Sequence, residues 1–291
     1  MTLTPAYADD LVTVFECDHA ALAAHLRETG VACDAMIVDA PYSARVHTGH
    51  DDGVDQSGGD LYQGRASKRT AACGRKPLSY SPWGVEEVRA FVAEWEPLVR
   101  GWAVSITDHV LGREWEAALQ DAGRYVFAPL ACVDSGSRVR LLGDGPPTWS
   151  VWAIVARPST AEFVRWATIE ARAERNAEPM LGAFVTPEGV RGGPHGMRGR
   201  TIGNVVGGKT VWLIRALVRD YSRAGDLIVD PTCGAGTLGV AVRYEGRRAI
   251  LADKDPAAVE CTIKRLRGER TKPTRDDFPQ TEDQPSLFGK P

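Results

Sequence analysis

The chain has 291 residues, 43% hydrophobic and 25% charged, with a formal net charge of −3; at roughly 100–200 residues per domain that is one large domain or two small ones. This balance excludes collagen-like, wholly disordered and disulfide-scaffold classes, and it confines any polyanion-binding surface to a local patch. The six cysteines are scattered without a CxxC pair, which argues against a zinc ribbon and fits a reducing cytoplasm. Met1 to Asp10 lack a basic start and an apolar run, so no secretory signal is read there, and no stretch of about 18 apolar residues is present to span a membrane.

In chain order, Val12 to Phe15 reads as a strand ending at Glu16-Cys17-Asp18, and Ala20 to Thr29 as a helix stopped by Gly30. Ala35 to Val38 is a continuously apolar run, as expected of a buried parallel strand. Residues 43–80 have no period and are rich in Gly, Ser, Asp, Arg and Lys, which marks a long functional loop. Val85 to Glu96 follows as a helix ended by Pro97, then Trp102 to Ile106 as a strand and Arg113 to Ala122 as a helix closed by Gly123. Tyr125 to Ala131 and Val151 to Ala156 read as strands forming a hairpin-like edge. Residues 157–205 read as irregular apart from a helix over Ala161 to Ala173. Lys209 to Tyr221 is an amphipathic helix, and strand, helix, strand, helix follow at Asp226–Val229, Gly236–Tyr244, Arg248–Ala252 and Ala257–Arg267. From residue 268 the chain is charged, Pro-bearing and poor in apolar residues, which predicts a disordered tail over 268–291. The alternation predicts an open α/β sheet with helices on both faces.

Two constellations carry chemistry. The first is Asp226-Leu-Ile-Val-Asp230-Pro231-Thr232-Cys233-Gly234-Ala-Gly236-Thr237-Leu-Gly239. A strand enters, glycines turn, and a helix leaves, so backbone can approach a ligand closely. The following strand ends at Asp253, placed to accept hydrogen bonds from ribose hydroxyls. The letters also satisfy a dinucleotide fingerprint. Against that reading, Asp230 beside the turn would repel a pyrophosphate but attract an ammonium group, and too little chain follows to complete a dinucleotide domain. A cofactor with an amino-acid part and a ribose, S-adenosylmethionine, fits both points.

The second constellation is Ala35-Met-Ile-Val-Asp39-Ala40-Pro41-Tyr42. A buried strand delivers an acid, a rigid turn and an aromatic to its carboxyl end, where ligands bind in open α/β sheets. Alone, Asp-x-Pro is a common turn.

Together these motifs resemble the amino-methylating DNA methyltransferases, which carry an (Asp/Asn/Ser)-Pro-Pro-(Tyr/Phe/Trp) motif and an Asp-Pro-Phe-x-Gly-x-Gly motif. The catalytic motif coming first resembles the β-class order. The resemblance covers most of residues 11–267. It implies a Rossmann-like, seven-stranded S-adenosylmethionine-dependent methyltransferase fold with circularly permuted motif order. It implies one domain over 1–267, with the long loop 43–80 and a candidate recognition region at 174–206. Catalysis falls to Asp39, Ala40, Pro41 and Tyr42, and cofactor binding to Asp18, Lys209, Asp230, Pro231, Thr232, Gly234, Gly236, Thr237 and Asp253. Three positions depart from the family pattern: Ala40 for the first proline, Thr232 for the aromatic that covers the cofactor adenine, and Thr210 for the proline of a Lys-Pro helix start.

The chemistry follows from a poor nucleophile. A nucleobase amine delocalises its lone pair into the ring, and acceptors aimed at its N–H bonds restore tetrahedral character. The Asp39 carboxylate and Ala40 carbonyl would supply them, and Tyr42 would stack on a base flipped out of the duplex. Adenine N6 is preferred over cytosine N4 because the family's cytosine-amine enzymes more often begin the motif with Ser. DNA contact is expected from Arg45, Arg65, Lys68, Arg69, Arg75 and Lys76 in the loop, and from Arg198 and Arg200 in a second patch with Arg191 and His195. His47, His50 and Asp51 lack the further anchors of a metal site, so none is expected. The run Lys264, Arg265, Arg267, Arg270 and Lys272 reads as a solvated helix face. The tail segment Gln284-Pro-Ser-Leu-Phe288 resembles peptides that bind bacterial sliding clamps, and many β-class relatives dimerise.

Overall fold

The computed structural model describes residues 3–46, 80–133, 150–170, 180–186, 201–202, 205–206 and 208–269. Its first half runs β1 (Tyr7–Ala8), β2 (Val12–Glu16), α1 (His19–Thr29), β3 (Ala35–Asp39), α2 (Val85–Trp95), β4 (Ala103–Thr107) and α3 (Gly112–Asp121). Then come β5 (Tyr125–Val126), β6 (Leu130–Val133), β7 (Ser150–Arg157), α4 (Ala161–Val164), β8 (Ala183–Val185), β9 (Thr201–Ile202) and β10 (Val205–Val206). The chain closes with α5 (Val211–Tyr221), β11 (Leu227–Asp230), α6 (Thr237–Glu245), β12 (Arg248–Asp253) and α7 (Pro256–Leu266). Among the described residues no helix is long and apolar enough to cross a membrane.

The main sheet has the order β1-β2-β12-β11-β3-β4-β7-β6-β8, with β5 also paired to β7. Strands β2, β12, β11, β3 and β4 are parallel, and β7 enters antiparallel beside β4, with β6 antiparallel to β7. Among the described residues these include the seven strands expected, with the hairpin-like edge in place, and the short β1, β5 and β8 bring the sheet to ten.

Alternation along the buried strands divides the core in two. Ala35 and Ile37 of β3 and Val104 and Ile106 of β4 pack with Leu213 and Leu217 of α5, Val242 of α6 and Val259 of α7. Met36 and Val38 point the other way, into Leu22 and Leu26 of α1, Phe91 and Trp95 of α2 and Trp115 of α3. Phe91 is the hub of that second layer, with ring centroids 5.2 Å from His19 and Trp83, 6.0 Å from Trp95 and 5.6 Å from Trp115.

Strands β11 and β3 are neighbours, yet their outgoing connections diverge. The chain leaves β11 through α6 toward β12, and leaves β3 through α2 toward β4, on the opposite face. The gap between them is therefore a topological switch point, and a crevice opens at the strands' carboxyl ends there.

Three expectations need correction. The strand expected over Tyr125 to Ala131 is two strands, because Pro129 has no N–H to donate; β5 and β6 both pair with β7, at Ala156–Arg157 and Ser150–Ala153. The helix expected over Ala161 to Ala173 is interrupted: it ends at Val164, the chain turns to bury Trp166, whose indole N–H donates to the Asp220 carbonyl at 2.7 Å, and helix resumes at Ile169 and Glu170, with 171–173 outside the described residues. Residues 157–205, expected to be otherwise irregular, contribute β8 and the antiparallel β9–β10 pair.

Truncating the hub ring tests the second layer. Phe91→Ala should cost about 3–5 kcal/mol of unfolding free energy, read from urea denaturation by circular dichroism. A loss under about 1 kcal/mol would show that the layer does not depend on it.

Candidate active site

The acid of the first corner and the acid of the glycine loop leave the sheet on the same face. Val229 of β11 is in register with Met36 of β3. Asp230 therefore lies level with Ile37, and Asp39 lies two residues beyond, about 7 Å further along the strand. Both share the parity of Ala35, Ile37 and Ile228, which face α5 and α6. Lys209, just before α5, closes the space. Its ammonium donates to Asp39 Oδ1 at 2.7 Å and Oδ2 at 2.5 Å, and lies 4.8 Å from the centre of the Tyr42 ring. The Tyr42 hydroxyl donates to Asp39 Oδ1 at 3.1 Å. Lys209 is only 5% exposed and the Asp39 side chain 26%, so the ion pair is buried on the lysine side and reaches solvent on the carboxylate side.

The corner is braced from outside the motif. The Asp108 carboxylate accepts from Ser43 N–H at 2.7 Å, and from Val110 and Leu111 N–H at 2.8 and 3.0 Å. The Trp83 N–H donates to the Tyr42 carbonyl at 3.0 Å. Ala40 and Tyr42 are buried, Pro41 is half-buried, and Arg45 stands exposed one turn beyond.

The glycine loop is held by its own acids. Asp230 accepts from Thr232 N–H at 3.1 Å, and Asp253 accepts from Gly234 N–H at 2.8 Å and Asp255 N–H at 2.9 Å. Gly236 has a φ of 68°, and a Cβ there would lie 2.4 Å from Thr262 Cγ2. Glycine is thus required both by the left-handed backbone and by the closeness of α7. Thr262 donates to the Gly234 carbonyl at 2.9 Å. Thr237 opens α6 and its hydroxyl lies 3.5 Å from the Lys209 carbonyl, so Lys209 bridges loop and corner. Asp18 sits exposed at the end of β2 and caps α1 by accepting from Ala21 N–H at 2.8 Å; next to it, Cys17 N–H donates to the Asp253 carbonyl at 3.1 Å.

Burial pushes the Asp230 carboxyl well above the usual carboxylate range; the Thr232 N–H opposes the shift, and the charges of Asp39 and Asp253 add to it. Burial also raises Asp253, against hydrogen bonds from Asp255 and Gly234 N–H. A crevice lined this way favours a cationic or hydrogen-bond-donating occupant.

The structure thus brings together Asp39, Ala40, Pro41, Tyr42, Lys209, Asp230, Pro231, Thr232, Gly234, Gly236, Thr237 and Asp253, with Asp18 at the neighbouring strand end. Arg65, Lys68, Arg69, Arg75, Lys76, Arg198 and Arg200 lie outside the described residues, as do His47, His50, Asp51 and the Gln284–Phe288 segment. Arg265 is a correction: far from solvated, it is 9% exposed, and its guanidinium donates to the Ala235 carbonyl and, at 3.3 Å, to Thr237 Oγ1. Its signal was present in the helix, since position 265 continues the buried stripe Ala258, Val259, Thr262 and Leu266. Asp108 is a second residue whose role sequence did not show. Among the described residues no cluster of metal-ligating side chains occurs.

The sheet order and switch-point site are those of a Rossmann-like methyltransferase fold. M1.HpyAVI in its complex with SAM aligns with a TM-score of 0.59 at 15% identity, over 88% of this chain and 99% of that one. The cytosine-N4-specific PvuII DNA methyltransferase aligns with a TM-score of 0.56 at 11% identity, over 94% and 92%. The DNA methylase family model of the N6/N4 type matches residues 201–265. Type II methyltransferase M.Cfr9I of Citrobacter freundii is 36% identical over 59 residues, a fifth of the length of each protein. Both likenesses to the N6/N4 amino-methyltransferases are confined to a part of this chain. The matched segment holds Lys209, the glycine loop and Asp253; the acceptor corner lies 170 residues before Lys209 and outside it.

The raised carboxyl of Asp230 has a consequence for folding. Its proton is held more tightly in the folded than in the unfolded chain. Stability therefore falls as pH rises from the ordinary value of about 4 through the raised folded value, and is level above it. Asp230→Asn keeps the acceptor for Thr232 N–H and removes the charge. Urea titrations from pH 4 to 8 should show the variant gaining on wild type as pH rises; parallel curves would show that the buried charge is not felt.

Proposed function

We propose that this protein transfers the methyl group of S-adenosylmethionine to the exocyclic N6 amine of adenine in DNA. The observation that carries the reading is the meeting of two distant segments, Asp39–Tyr42 and Asp230–Thr237, on one face of the switch point with Lys209 between them. The loop residues fit the donor. Gly234 and Gly236 keep side chains off the turn, Asp230 offers a buried carboxylate to an ammonium group, and Asp253 retains lone pairs for a ribose hydroxyl. SAM is the ligand of the structurally similar M1.HpyAVI. When bound, the donor supplies a sulfonium methyl already activated for displacement.

This chain's residues do the rest. Asp39 and the Ala40 carbonyl accept N–H bonds from the target amine and favour a nucleophilic nitrogen. Tyr42 offers its ring face to the base. Arg45 is exposed one turn from the corner, which supports a phosphate contact there. Asp39 begins the motif, and in the resembling family that residue goes with adenine more often than with cytosine. The corner can also accept from cytosine N4, and the fold is shared with a cytosine-N4-specific enzyme, so N4 methylation is the second reading. The Gln284–Phe288 segment is proposed, on its sequence alone, as a clamp-binding peptide.

Incubation with radiolabelled donor and mixed duplex DNA, followed by nucleoside analysis, tests these readings. Label in N6-methyladenine is expected; label in N4-methylcytosine selects the second reading, and DNA binding without label leaves a non-catalytic homologue. Asp39→Ala should lower transfer by about a hundredfold or more with donor affinity nearly unchanged; retained turnover would remove Asp39 from the chemistry. Asp253→Ala should weaken donor binding by about tenfold in calorimetry, and an unchanged dissociation constant would reassign that acid.

A further inference from the structure

In this structure the Lys209 ammonium does what a target amine must do. It donates to the Asp39 carboxylate, at 2.5 and 2.7 Å, and it lies over the Tyr42 ring at 4.8 Å. A base cannot take that place while the ammonium holds it. Lys209 also cannot simply leave, because it is 5% exposed and its charge is matched by Asp39. A short move within the pocket, on a flexible four-carbon stem, is the change that keeps the charge paired.

Base chemistry says where the ammonium goes. An ammonium has three N–H donors and no acceptor. Adenine presents its N6 amine beside the acceptor N1, and cytosine its N4 amine beside the acceptor N3. Asp39 and Lys209 together present an acceptor beside a donor, the complement of that edge. Guanine's amine has N1–H beside it on the pairing edge, a donor facing a donor.

We infer that Lys209 is a base-reading residue: it gives up one Asp39 oxygen to the target amine and donates to the adjoining ring nitrogen, N1 of adenine or N3 of cytosine. The pair stays neutral throughout, and the hydrogen bond is made only by a base whose amine has an acceptor beside it. This inference rests on the proposed methyl transfer to a nucleobase amine and adds a specificity role for Lys209.

The test uses the full chain and duplexes carrying the recognition sequence found by modified-base sequencing of DNA from cells expressing the protein. The target adenine is replaced by 1-deazaadenine or 7-deazaadenine, or a target cytosine by 3-deazacytosine. Wild type should lose about tenfold or more in kcat/KM on the 1-deaza or 3-deaza duplex, as for one hydrogen bond to a charged group, and little on the 7-deaza duplex. Lys209→Met should treat natural and 1-deaza or 3-deaza duplexes alike, whereas Lys209→Arg, which keeps a donor, should restore part of the discrimination. If Lys209→Met lowers transfer on every duplex by one factor, the lysine only supports Asp39 and the inference falls. It falls also if the 7-deaza duplex is the one discriminated, or if Lys209→Met only lowers KM throughout. No label in any natural duplex would instead overturn the methyl-transfer reading itself. Thermal melting of both variants shows whether a lost activity is a lost fold.

Discussion

The ion pair between Lys209 and Asp39 is the interaction on which the site depends. Taking a carboxylate and an ammonium out of water is costly, and only close, well-directed contact offsets it. Here both Asp39 oxygens are reached by one ammonium, and the Tyr42 hydroxyl supplies a further donor. Among the described residues Asp230 has no such counterion at contact distance, and its carboxyl is raised by burial. The Asp39 carboxylate thus has an ammonium in contact, whereas among the described residues no ion pair reaches Asp230, and the nearby Arg265 guanidinium is engaged by the Ala235 carbonyl and Thr237. That asymmetry fits the proposed reading, in which the corner takes a neutral, hydrogen-donating amine and the loop a positively charged donor.

Geometry of the sheet turns this electrostatic division into a reaction line. Chain order places the corner early and the loop late, but sheet order makes β3 and β11 neighbours, with register Ile228 to Ala35 and Val229 to Met36. Because side chains alternate, that register sends Asp39 and Asp230 to the same face, offset along the strands. A slip of one residue would send one acid into the layer of α1, α2 and α3. The apolar runs of β3 and β11, buried on both faces, fix the register, so core packing and site geometry are one constraint.

How much was readable in sequence follows from the range of each interaction. The β3 corner and the glycine loop are local patterns, and both lie where their spacing predicts. The Lys209–Asp39 pair joins residues 170 apart, so sequence supplied Lys209 as a cofactor neighbour but not as Asp39's counterion. Asp108 braces Ser43 across 65 residues and was equally invisible. Arg265 is different: its place on the buried stripe of α7 was legible, and its charge obscured it. A buried guanidinium with two acceptors is a brace rather than a solvated cation. The break at Pro129 was also legible, since proline cannot donate to a ladder.

These braces bear on the departure at position 40. An alanine there keeps the backbone carbonyl and loses the torsional restraint of proline. In this chain the turn is restrained from elsewhere. Pro41 fixes the next torsion, the Tyr42 carbonyl is tied to Trp83 N–H, and the Ser43 N–H is tied to the buried Asp108. The Ala40 side chain itself is 3% exposed and packs in the layer with Val38, Leu111 and Trp115. Rigidity that a proline at position 40 would supply is thus supplied by Pro41 within the motif and by Trp83 and Asp108 outside it. The carbonyl that would face the amine in the proposed transfer is held without help from its own side chain, and the substitution is compatible with the proposed role of the corner.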